Sequence, residues 1–182
     1  MLQAARALLD EGGPTAVTME AVAARSGVGK SSIYRRWPNA HAVLMTALME
    51  GERGASARGR RISPLAALQT QLREIVRAFA ARRGRTVAMM LAAADDDTEL
   101  AKAFRQYVIL ARRQEGRALL TAAAESGEVR PDIDVDVVLD LLYGPIFFRI
   151  LVGHAPADEA FAEALFEEVT RGIESPQDRA RY

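Results

Sequence analysis

An all-α protein of about nine helices is the fold this sequence predicts. Three observations predict it. Apolar residues recur at three- and four-residue spacing along most of the chain, glycines and prolines punctuate those stretches at helix-length intervals, and no stretch alternates apolar and polar residues over a useful strand length. There is no internal repeat. With 182 residues, 49% of them hydrophobic and 26% charged, the chain can fill one or two compact cores and is not composed like a disordered segment.

Taken in order, Leu2 to Glu11 reads as a first helix, with Leu2, Ala5, Leu8 and Leu9 on one stripe and Gly12-Gly13-Pro14 ending it. Thr18 is a good N-cap for a short helix from Met19 to about Arg25. Ser26-Gly27 makes a turn, and a second short helix runs from Lys30 to Arg35 or Arg36, closed by Trp37-Pro38. Asn39 caps a fourth helix reaching about Ala57, with Val43, Leu44, Ala47 and Leu48 on one face. Gly51 to Ile62 is polar and basic, the end of that helix plus a linker.

Ser63-Pro64 then opens a helix by cap and N1 proline, its stripe being Leu65, Leu68, Leu72, Ile75, Val76 and Phe79, and Gly84 is expected to stop it. Thr86 to Ala94 is a short helix, and Thr98 caps a long one that Gly127 ends. Val135 to Val152 follows Pro131 and Asp134. Asp158 caps the last helix, where Phe161, Leu165, Phe166, Val169 and Ile173 repeat. The expected organisation is a helix-turn-helix domain over 1–50, the helix end and linker over 51–63, a helical domain over 64–174 and a flexible tail over 175–182.

Composition and motifs exclude several classes. The richest apolar run, Val135 to Val152, is broken by Asp136, Asp140 and Arg149, so no membrane span is expected. Arg6, Asp10 and Glu11 argue against a signal peptide, and zero cysteines leave no disulfide or thiolate metal site, which fits a cytoplasmic protein. Gly27-Val28-Gly29-Lys30-Ser31-Ser32 looks like the end of a phosphate-binding loop. The first glycine of that motif falls at Ala24, however, and the residues before it read as helix where a strand is required. Asp132, Asp134 and Asp136 imitate a calcium loop, but the sixth and twelfth positions are Val137 and Tyr143. His41 and His154 stand far apart, and no catalytic set emerges. The chain reads as no enzyme, with no cofactor and no metal.

What remains is Thr18 to Leu48. Ala23, Gly27 and Ile33 are spaced as a helix-turn-helix requires: a small residue where two helices cross, a glycine for the positive φ of the turn, and a branched aliphatic plug, with Val22 and Val28 beside it. The second helix then exposes Lys30, Ser31, Ser32, Tyr34 and Arg35, with Gly29 allowing close backbone approach. Lysine and arginine reach guanine edges or phosphates, serine serves either, and a tyrosine hydroxyl takes a phosphate. His41, in the first turn of the fourth helix, is a candidate phosphate contact. The overall charge is zero, yet residues 1–61 carry nine Lys and Arg against five Asp and Glu, a net +4. A basic front suits a polyanionic partner, double-stranded DNA. The competing reading is a helical module that binds another protein.

Val135 to Val152 is apolar nearly all round, so it should be buried on two sides. The second side is expected to meet either a partner subunit, alongside the last helix, or the rest of a monomeric bundle. Pro145 should kink it unless neighbours compensate. The interface candidates are Leu139, Tyr143, Ile146, Phe147, Ile150, Phe161, Leu165, Phe166 and Val169.

The threonine-capped helix, the S-G-V turn, the S-x-Y of the second helix, Trp37 and the asparagine-capped fourth helix together resemble the TetR family of bacterial transcriptional regulators. The run Tyr143 to Gly153 looks like a C-terminal domain type of that family. The resemblance implies a homodimer, a pocket for a small-molecule effector in each subunit, and a repressor released from its operator when that pocket fills. It also implies that Gly29, Lys30, Ser31, Tyr34 and Arg35 contact DNA and that Thr18 clamps a phosphate. Many members carry a lysine where this chain has Ala40, so His41, Arg36 or a helix N-terminus is expected to take that phosphate. Paired recognition helices must sit about 34–36 Å apart, and an effector favouring another spacing releases the DNA. Met89, Met90, Phe104, Tyr107 and Phe147 are the pocket candidates, being large and apolar; ordinary core is the alternative for each.

Overall fold

The structure, a computed structural model, describes residues 1–50 and 62–173. Its elements are α1 (Leu2–Gly12), a 3-10 turn (Pro14–Ala16), α2 (Met19–Ser26), α3 (Lys30–Tyr34), α4 (Ala40–Glu50), α5 (Pro64–Ala80), α6 (Arg82–Ala92), α7 (Glu99–Phe104), a π-helical segment (Arg105–Leu110), α8 (Ala111–Glu125), α9 (Val135–Val152) and α10 (Glu159–Ile173). Because α7, the π segment and α8 run on without a break, these make nine helical stretches besides the 3-10 turn, and no strand occurs among the described residues. The expected continuation of α4 to Ala57, most of the linker, and the tail lie outside the described residues.

The helices gather into two compact units that cut across the expected order. One holds α1 to α4, the end of α5 from Ala78, α6, α7 and the π segment; the other holds α5 up to Arg77, α8 from Arg112, α9 and α10. In the first unit α4 is the central rod. Ala42, Val43, Leu44, Met45, Ala47, Leu48 and Met49 are all buried, more than the single face the pattern suggests. The reason is that α1, α7 and the π segment all pack on it.

One expected helix stop is corrected. Gly84 does not end the helix that opens at Pro64: α5 stops at Ala80, and Gly84 sits in the first turn of α6. A Cβ there would lie 1.9 Å from the Ala78 carbonyl oxygen and 2.6 Å from the Phe79 Cα. The glycine is therefore spent on close approach of two helix ends. Gly84→Ala should force those backbones apart and cost about 2–3 kcal/mol, at the upper end of overpacking effects, read as a shifted midpoint in urea.

The second unit is built round a buried polar knot. The Tyr143 hydroxyl donates to Gln71 Oε1 at 2.5 Å, and Gln71 Nε2 donates to the Arg112 carbonyl at 3.2 Å. Burial pushes the Tyr143 phenol well above its ordinary range, so it remains a donor at every physiological pH. The buried Arg112 guanidinium meets Glu115 at 2.9 Å and Glu74 at 3.3 Å. Pro145 lies inside α9 without dividing it. The carbonyl it deprives of a partner belongs to Leu141, which is exposed, so water can take that acceptor.

Candidate DNA-binding interface

The reader is built from α2, a tight turn and α3. Thr18 Oγ1 accepts from the Ala21 N–H at 3.0 Å, capping α2. Gly27 takes φ +68°, the left-handed turn for which a glycine was expected. Val22 and Ile33 are fully buried between the two helices, so the expected plug is in place. α3 is short, five residues, and α4 holds it from below through Trp37. That ring is buried, and its Nε1 donates to Thr46 Oγ1 at 2.9 Å, which in turn donates to the Ala42 carbonyl at 2.8 Å.

With Ile33 and Trp37 facing inward, Lys30, Ser31, Tyr34 and Arg35 project outward, and Tyr34 is 50% exposed despite its apolar ring. Ser32 is half-buried at the edge of this face. Gly29 has φ −59°, which any residue adopts, and a Cβ there would meet nothing nearer than Ser31 Oγ at 4.0 Å. The chain itself does not require a glycine at this point.

Around α3 the phosphate candidates are disposed differently. Thr18 is exposed, and its hydroxyl hydrogen is still available while the oxygen caps α2. Arg36 lies over the Trp37 ring, 5.1 Å from its centre. Asn39 Oδ1 caps α4 by accepting from Ala42 N at 2.9 Å, while its Nδ2 reaches Glu99 at 3.0 Å and ties the start of α4 to the start of α7. His41 is half-buried one turn away. Ala40 offers no side-chain donor.

Two acidic partners escaped the sequence reading. Glu11 grips both terminal nitrogens of Arg25 at 2.5 Å, and Glu20 holds Lys30 Nζ at 2.9 Å. The hydrogen bond from Lys30 keeps the Glu20 carboxyl below its ordinary range, so the pair persists into mildly acidic solution. Ten residues separate Glu20 from Lys30, a spacing no helical period brings together, which is why the pattern gives no sign of it.

Residues 1–44 match the family model for bacterial regulatory proteins of the tetR family, and residues 63–169 match the tetracyclin repressor-like C-terminal domain. The chain belongs to the TetR family of transcriptional regulators. A relative, the uncharacterised HTH-type transcriptional regulator YdeS of Bacillus subtilis, is 29% identical over 175 residues, covering 96% of this chain and 88% of YdeS. Among solved structures, the TetR family transcription regulator SCO0332 is 33% identical with a TM-score of 0.71, covering 94% of this chain and 95% of its own. A TetR transcriptional regulator from Agrobacterium tumefaciens, 21% identical, shares the fold at a TM-score of 0.69, with 100% and 96% covered.

In this TetR-family regulator the apolar residues of the second unit divide otherwise than expected. Leu139, Tyr143, Ile146, Ile150 and Phe166 were candidates for a subunit interface, but they are buried within the chain's own core. Phe147, Phe161, Leu165 and Val169 stay half-exposed. The uncovered stripe of α9 is the opposite one: Val137, Leu141, Gly144, Phe148, Leu151 and Val152, of which Val137, Leu141, Phe148 and Val152 are each more than half exposed. Asp136 and Asp140 stand beside that stripe, tied back to the chain by Arg113, with Arg117 also on Asp136 at 2.5 Å.

The pocket candidates fare unevenly. Met89 is 61% exposed on α6, because that helix turns its other face inward through Val87 and Ala88. Met90, Phe104 and Tyr107 are half-buried in the first unit, Phe104 set edge-on to Phe79 with ring centres 5.9 Å apart. Phe147 is half-buried in the second unit. A cleft of about 410 Å³ between the end of α1 and the start of α6, bordered by Leu9, Asp10, Pro14, Arg82 and Thr86, involves none of the five. Among the described residues no helix is long and apolar enough to cross a membrane, and no group of three His, Asp or Glu is placed to hold a metal ion.

Proposed function

We propose that this TetR-family regulator is a cytoplasmic, homodimeric repressor that binds double-stranded DNA through α3 and leaves it when a small molecule fills its effector site. The observation that carries the DNA-reading part is the α3 face: Lys30, Ser31, Tyr34 and Arg35 are held outward on a helix whose inner side is locked by Ile33 and Trp37, beside a glycine the chain does not itself need. Thr18, His41 and Arg36 supply the flanking phosphate contacts in this reading, with Ser32 at the edge. It is a binding function and calls for no catalytic set.

Homodimerisation is supported by the apolar stripe of α9 from Val137 to Val152, continued by the half-exposed Phe161, Leu165 and Val169 of α10. So large an apolar strip on a helix surface needs a cover, and the four-helix contact of a second copy supplies one. Gly144, in the middle of the strip, lets the partner helix come close.

Effector control is supported by the packing of α4. It carries the reader at one end and lies against α7 and the π segment, where Phe104 and Tyr107 sit. A molecule that moves those side chains, with Met90, moves the rod that positions α3. A division between reader and effector parts at residues 51–63 is supported by the gap between the two family-model matches, which cover residues 1–44 and 63–169.

A gel shift against the chain's own upstream region, followed by addition of small apolar compounds that raise its melting temperature, tests the reading. Binding at low salt that weakens steeply with added salt, and release by a stabilising compound, are the expected results. No affinity for any duplex at low salt would move the chain to the protein-binding class.

A further inference from the structure

The pair formed by Glu20 and Lys30 is oddly placed for an ordinary surface salt bridge. Such pairs contribute little to stability. This one puts a carboxylate in the first turn of α2, beside a face that is otherwise basic and is read here as meeting a polyanion. A carboxylate there opposes every phosphate that comes near. It also neutralises the lysine that heads α3. A group that weakens general attraction to DNA makes sense where it sharpens selection.

The geometry suggests how. Lys30 Nζ and Glu20 Oε1 are 2.9 Å apart, one a donor and the other an acceptor, both more than half exposed. On the major-groove edge of a G·C pair, guanine O6 and cytosine N4 are likewise an acceptor and a donor joined by a hydrogen bond of about 2.9 Å. The two pairs match in spacing and are complementary in sign.

We propose that Glu20 and Lys30 read one base pair as a unit, Lys30 donating to the keto oxygen of one base and Glu20 accepting from the exocyclic amine of its partner. This rests on the assignment of α3 as the reader. The unit fixes orientation: a keto base on one strand and an amino base on the other, with C·G and A·T in the reverse sense excluded because like groups then face each other. Guanine is preferred to thymine on the keto side, since its N7 gives the ammonium a second acceptor, whereas thymine presents a methyl group.

The test is selection from a randomised duplex library with the full chain, its Glu20→Gln variant, and the double variant Glu20→Lys with Lys30→Glu. The parent should select one oriented G·C pair per half-site. Glu20→Gln should bind unrelated duplex several-fold more tightly and lose discrimination at that pair by about tenfold. The charge swap restores the salt bridge, so a purely structural pair would leave the selected sequence as it was; a reading pair inverts it to C·G at that position alone. An unchanged sequence logo in both variants overturns the proposal while leaving α3 as the reader. A parent that selects no sequence at all removes the reader itself, and this proposal with it.

Discussion

Lys30→Ala combined with Tyr34→Phe is expected to lower affinity for the operator roughly ten-thousandfold while leaving the melting temperature almost unchanged. The size follows from symmetry: a good base or phosphate contact is worth about tenfold or more, each variant chain loses two, and a dimer engages two half-sites. The unchanged stability follows from exposure. Both side chains project from α3, Tyr34 is half exposed, and the inner anchors Ile33 and Trp37 are untouched. Anisotropy titration of a fluorescent operator duplex gives the first quantity and a thermal melt the second. A double variant that binds like the parent would mean that α3 is not the reading helix.

Phe148→Asp is expected to turn the proposed dimer into monomers with their helical content intact. Phe148 is 58% exposed in the single chain, in the same stripe as Leu141, and its ring lies tilted against His154, with ring centres 5.1 Å apart. A carboxylate there costs the isolated subunit little but cannot be desolvated between two apolar helices. The contrast with Leu139→Asp makes the prediction sharp. Leu139 is fully buried inside the subunit, so a charge at that position should unfold the chain. Sedimentation at micromolar concentration, with circular dichroism alongside, separates dissociation from unfolding. With the proposed pairing of two readers lost, the Phe148→Asp monomer should also lose operator affinity. A dimer untouched by Phe148→Asp would place the interface elsewhere.

These two positions also mark how far the residues alone lead. The helix-turn-helix was legible because its constraints are local: a threonine cap, a glycine in the left-handed region at Gly27 and an aliphatic plug at Ile33 each have a fixed offset along the chain. The boundaries of most helices followed from the same cap and stop logic. The inner face of α9 was not legible. Val137, Leu141 and Phe148 on one side and Leu139, Ile146 and Ile150 on the other are equally apolar, and periodicity cannot say which stripe a chain buries in itself. Gly84 looked like a stop because a glycine near a helix end commonly is one, whereas its reason is a neighbouring helix end. Glu11 and Glu20 were invisible as partners because the contacts that join them to Arg25 and Lys30 are made by the tertiary fold. Met89 shows the converse: a large apolar side chain is no guarantee of an interior position.

In the proposed function, two copies of the α3 face, carried by one dimer, read one operator. Footprinting the duplex selected from a randomised library tests it most directly. Two half-sites in inverted repeat, their centres about one helical turn or a whole multiple apart, should be protected by the parent and left open by the Lys30→Ala, Tyr34→Phe variant. A single isolated half-site fully protected by a monomer, or protection that survives in that variant, would contradict it.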